Sequence, residues 1–140
     1  MKTNKILLGG IAGAVTFFIL GWLVYGILLS DYTAENFNLC AAKPMGEMSW
    51  WAMILSNLAF GFLLSIVFNW SNTKGIPAGA KAGGIMGLLI GISMDFSVYS
   101  MSNMYLNLTA LFVDLIVYTF ISVIVGIVVG CVMNTGKKEA

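Results

Sequence analysis

The chain contains no histidine and no arginine, and only 9% of its 140 residues are charged. Each absence removes a class of chemistry. Without histidine there is no imidazole to hold a haem iron and no Ser-His-Asp triad. Without arginine there is no bidentate clamp for a carboxylate or phosphate. The two cysteines, Cys40 and Cys131, have no metal-ligand spacing and are expected on opposite sides of a membrane, too far apart to pair. The glycines lie inside apolar runs and form no phosphate-binding loop. No enzymatic activity, cofactor or metal is therefore expected. The segment "SNTKGIPAGAK" offers two lysines, enough for lipid headgroups and too few for nucleic acid.

What is present is hydrophobic: 59% of the residues, with a mean hydropathy of +0.93. Soluble domains carry about 25% charged residues, so this composition belongs in a bilayer. A hydrocarbon core of about 30 Å needs about 20 helical residues. Four stretches qualify: 6–29, 50–70, 82–101 and 108–133, the last two each containing one aspartate. The first is 24 residues long, beyond the 7–15 of a cleaved signal core, and is read as a retained helix.

Loops rich in lysine stay cytoplasmic. Lys2 and Lys5 precede the first span, Lys74 and Lys81 lie between the second and third, and Lys137 and Lys138 follow the fourth. Only Lys43 falls on the other side, beside Asp31, Glu35 and Glu47. Trp50 and Trp51 open the second span and Trp70 closes it, as an interfacial aromatic belt requires. The expectation is an all-α, polytopic, four-helix bundle, a single domain over 1–140, with both termini cytoplasmic in the cell (inner) membrane.

Two segments repeat. "GGIAGAVTFFILGWLVYG" from Gly9 and "GGIMGLLIGISMDFSVYS" from Gly83 share six identities in 18 positions, including Tyr25 with Tyr99. More weakly, the second span matches the fourth, with Asn57 over Asp114 and Ser65 over Ser122. Both halves enter in the same direction, so the repeat implies two tandem parallel helical hairpins rather than an inverted pair. Chance matching of glycine-rich helices is the alternative.

Spacing by four keeps residues on one helix face, and each span carries such a row. The clearest is Gly79, Gly83, Gly87 and Gly91, which ends in Asp95. Gly9 and Gly13 continue the pattern in the first span, Gly126 and Gly130 in the fourth. In lipid, small residues let helix backbones approach closely, so these rows are packing seams, within one chain, between copies, or against a larger membrane complex.

Asp95 and Asp114 lie about ten residues either side of Met104 and Tyr105. At 1.5 Å per residue an antiparallel hairpin sets both at one depth, roughly 10 Å below the outer surface. In that register Tyr118 faces Gly91, Ser122 faces Gly87 and Gly126 faces Gly83. Asn57, Tyr99 and Tyr118 fall near the same level, as does Tyr25. An intramembrane carboxylate costs about 2.5–3.5 kcal/mol on insertion scales and so marks a functional site by default. Two at one depth with no basic partner are expected to share a proton and titrate as a unit. The candidate ion or proton site is therefore Asp95, Asp114, Asn57, Tyr99 and Tyr118. The structural alternative is that each aspartate merely ties two helices together.

The stretch "GWLVYGILLSDY", Gly21 to Tyr32, resembles a family of small bacterial four-helix membrane proteins with a Gly-aromatic-xx-Tyr signature late in the first helix. Gly26 and Ile27 follow the tyrosine here, where that family often has Ser-Pro. The resemblance implies a membrane location and four spans, and no particular activity. Two functional classes remain: a non-catalytic membrane subunit or homo-oligomer packing by its glycine faces, and a proton- or cation-conducting carrier using the aspartate pair.

Overall fold

The computed structural model describes residues 2–135, and Lys137 and Lys138 lie outside the described residues. The protein is all-α. Helix α1, Lys2–Leu23, runs on into a π-helical turn over Val24–Leu28. The short α2, Ser30–Asn36, and two 3-10 turns form the first connection. Helices α3 (Trp50–Trp70), α4 (Ile76–Met101) and α5 (Leu108–Asn134) complete the chain. The α1 segment, α3, α4 and α5 are each long and apolar enough to cross a membrane.

The third span starts earlier than its apolar run. Residues 76–81, expected as loop, are the first turns of α4. The cause is local and tertiary together. Gly75 sits at φ +85°, a conformation other residues rarely adopt, and donates its N–H to the Gly130 carbonyl at 2.9 Å. Pro77 then occupies the first helical turn, where its missing N–H costs nothing. Gly79, one turn on, already meets the α5 backbone at Gly126 and Gly130.

Helix α4 packs along α5 and α1 along α3, while α1 also lies against α5. The α4–α5 seam is built by glycine. A methyl placed on Gly83 would fall 2.7 Å from the Gly126 Cα, and one on Gly130 would fall 3.0 Å from the Gly79 Cα. Ser122 fills the notch at Gly87, and Leu115 and Tyr118 fill that at Gly91. The α1–α3 seam is similar: Gly13 approaches the Gly61 Cα, and the Ser65 hydroxyl donates to the Ile6 carbonyl at 2.7 Å. Leu64, Phe68, Ile121, Val125 and Val129 are fully buried between these pairs.

One end of the bundle gathers Lys5, whose ammonium reaches the Met133 carbonyl, and the Gly75–Gly130 contact. The opposite end is closed by chain pairing. Asn38 N–H donates to the Met104 carbonyl at 2.7 Å, and Leu106 N–H to the Asn36 carbonyl at 3.0 Å. These bonds bracket an antiparallel bridge between Phe37 and Tyr105, whose rings stand 5.0 Å apart. Asn107 caps α5 by accepting from Ala110 N–H at 2.7 Å, and its amide donates to the Asn36 side chain. The first connection thus folds over the α4–α5 turn and holds Tyr105 in place.

Candidate functional site

Beneath that cover lie the two carboxylates. Asp95, near the end of α4, is 9% exposed, and Asp114 lies half-buried nearly two turns inside α5. The glycine seam places them side by side, since α4 and α5 run in contact from Gly79 upward. A single hydroxyl joins them: Tyr105 Oη lies 2.8 Å from Asp114 Oδ2 and 3.3 Å from Asp95 Oδ1. From α1, the Tyr25 hydroxyl donates to Asp114 Oδ1 at 2.6 Å. Both oxygens of Asp114 therefore accept tyrosine hydroxyls, as an ionised carboxylate does. Asp95 Oδ2 is buried and has no hydrogen-bond partner among the described residues.

Proton counting constrains this cluster. A phenol has one proton, so Tyr105 serves two carboxylates either by dividing that proton between them or by accepting one from Asp95. The arrangement is a continuous hydrogen-bonded chain of Asp95, Tyr105, Asp114 and Tyr25, drawn from α4, the turn, α5 and α1. Tyr25 lies in the π-helical turn, where Leu29 N–H bonds back to the Val24 carbonyl at 2.8 Å. Such turns occur mostly as single-turn bulges and frequently at functional sites.

Tyr105 belongs to the connection rather than a span. Burial pushes its hydroxyl well above the ordinary tyrosine range, and the bond to Asp114 and both negative charges add to the shift. A folded-state value above the unfolded one contributes stability that is complete below about pH 10 and is lost as the pH rises beyond it. Tyr105→Phe is expected to lower stability at neutral pH by about 1–3 kcal/mol, by stranding buried acceptors. It should also make the alkaline loss shallower. Denaturation in detergent micelles across a pH series measures both.

The sequence-predicted residues separate. Asp95 and Asp114 meet through Tyr105. Tyr118, one turn beyond Asp114, packs edge-on against Phe17 at 5.7 Å and near Phe60 at 6.0 Å, and makes no hydrogen bond to the pair. Asn57 is buried, but its amide donates to the Met53 carbonyl of its own helix at 2.7 Å. Tyr99, one turn after Asp95 on α4, is 45% exposed, and among the described residues its hydroxyl bonds to neither carboxylate. Its repeat partner Tyr25 is the one that reaches Asp114, from the end of the first span, which lies against α5. Tyr105 was legible only as the centre of a turn. The available signal was a lone aromatic between two polar stretches, midway between the aspartates.

Among the described residues no three His, Cys, Asp or Glu side chains converge as a metal site would require. Comparison with known protein families, curated proteins and solved structures finds no match to this chain.

Proposed function

We propose that this is a multi-pass protein of the cell (inner) membrane in which the Asp95–Tyr105–Asp114–Tyr25 chain takes up and hands on a proton, making it a small proton-conducting carrier. In this reading the chain is two tandem helical hairpins with both termini cytoplasmic and the carboxylates on the outer side. The topology is supported by Lys2, Lys5, Lys74 and Lys81 at one end and Trp50 and Trp51 at the other. It accords with the four-helix family that the Gly21–Tyr32 stretch resembles. One observation carries the functional reading: a buried carboxylate oxygen, Asp95 Oδ2, stands without a partner beside a second carboxylate that is doubly bonded. An ionised Asp95 there would leave a charge in lipid uncompensated, whereas a protonated one donates through Tyr105.

Infrared spectra of protein with isotope-labelled aspartate test this. They are expected to contain one protonated carboxyl at neutral pH that disappears in Asp95→Asn. A spectrum with every aspartate ionised, unchanged by the substitution, would sink the reading.

The second reading, a non-catalytic subunit packing through glycine faces against itself or a larger complex, is supported by the depth of the glycine rows. Gly79, Gly83, Gly87 and Gly91 already face α5 of the same chain, however. An assembly would have to use other surfaces.

A further inference from the structure

Gly21 differs from the other glycines in its row. A methyl on Gly9 or Gly13 would collide with α3 or α5 side chains, but one on Gly21 would meet nothing within 4 Å. Gly21 faces a cleft of about 450 Å³ between α1, α3 and α5, within the range of small-molecule sites. Its walls are aromatic: Phe17, Trp22, Tyr25, Trp50 and Tyr118 surround it, and Asn57 lies at its base. A second apolar trough of about 250 Å³, lined by Ala14, Val15, Phe18, Ile54 and Leu58, continues from Asn57 along the α1–α3 flank. Val15 and Ile54 are about half exposed there, so the trough opens sideways toward lipid.

Charge selects the occupant. Tyr25 forms one wall of the cleft, and its hydroxyl is bonded to Asp114 directly behind it. Among the described residues no lysine lines either cavity. Aromatic rings around the cleft, with carboxylates one hydroxyl away, attract a cation, and aromatic cages are a recurrent answer to quaternary ammonium groups. An anion meets only repulsion, and a neutral hydrocarbon leaves the field of the carboxylates unused.

We propose that the cleft binds a lipophilic ammonium cation, its head among the rings beside Tyr25 and its alkyl chain in the lateral trough. This rests on the reading of the carboxylate chain as proton-exchanging, since a cation arriving beside Tyr25 favours release of the proton held by the pair. The titratable groups facing that pair are Tyr25 from α1, Tyr105 from the turn and Tyr118 from α5; α3 contributes only the neutral Asn57.

Dodecyltrimethylammonium is the probe, titrated into the full chain in zwitterionic nanodiscs, with empty nanodiscs as background and an uncharged analogue bearing a tert-butyl head as control. Saturable binding of the cation alone is expected, with about one proton released per ligand by charge balance in weak buffer. Gly21→Leu fills the cleft without touching a seam and is expected to weaken binding at least about tenfold while thermal stability holds. Trp50→Leu, on the α3 wall of the same cleft, gives an independent loss should Gly21→Leu fail to fold. Uptake equal to empty nanodiscs, equal binding of the neutral analogue, or unchanged binding in both variants would overturn the proposal. Binding without proton release would uphold the cleft and overturn the proton-exchange reading. A protonated carboxyl in the infrared spectrum without cation binding would do the reverse.

Discussion

Gly83→Leu is expected to drive α4 away from α5 and to abolish the native bundle in mild detergent. The position of the added Cβ decides this. It would lie 2.7 Å from the Gly126 Cα and 2.5 Å from the Ser122 carbonyl oxygen, and both are backbone atoms that no rotamer change can move. Overpacking a core typically costs about 1–3 kcal/mol, occasionally more, and rigid backbone on both sides sets this site at the upper end. Even Gly83→Ala should be destabilising. Gly21→Ala is the matched control: the same methyl enters open space, and alanine recovers about 0.5–1 kcal/mol of helix propensity over glycine. Unfolding in graded detergent mixtures separates the two. Equal effects at positions 83 and 21 would mean that the seam is not what holds α4 and α5 together.

The second large effect concerns Asp114, the centre of the hydrogen-bonded chain. Asp114→Asn preserves shape and one acceptor oxygen but replaces the other with an amide that cannot accept. It therefore breaks the bond from either Tyr25 or Tyr105 and removes the charge that a travelling proton would neutralise. Proton transfer is expected to fall to the background of protein-free vesicles. Helix content should change little, because the α4–α5 seam below the site is glycine and serine packing that Asp114 does not enter, while stability falls by about 1–3 kcal/mol, as for Tyr105→Phe, because one tyrosine hydroxyl loses its acceptor. Asp95→Asn should act similarly on transfer, since it removes the other end of the chain.

Much of this arrangement was legible in the sequence because it follows from helix period alone. Hairpin arithmetic sets Asp95 and Asp114 at one depth, and the same register pairs Gly91 with Tyr118, Gly87 with Ser122 and Gly83 with Gly126, as the contacts show. What depended on irregular backbone was not legible. Tyr105 lies in a connection with no period, and its position is fixed by pairing with Phe37, nearly 70 residues away in sequence. Tyr25 looked equivalent to Tyr99 by repeat, yet α1 lies against α5 and sets its hydroxyl on Asp114. Asn57 has the right depth and polarity, but a carbonyl of its own helix satisfies its amide first. The start of α4 was hidden by Gly75 and Pro77, residues that usually mark loops and here open a helix.

Proton entry into sealed vesicles, followed with an internal pH dye under an imposed membrane potential, tests whether the carboxylate chain conducts. Acidification well above protein-free vesicles is expected with the wild-type protein, and none beyond that background with Asp114→Asn reconstituted at equal density. Wild-type vesicles no more permeable than empty ones, or an Asp114→Asn protein as active as the wild type, would contradict it and leave the carboxylates as a tie between helices.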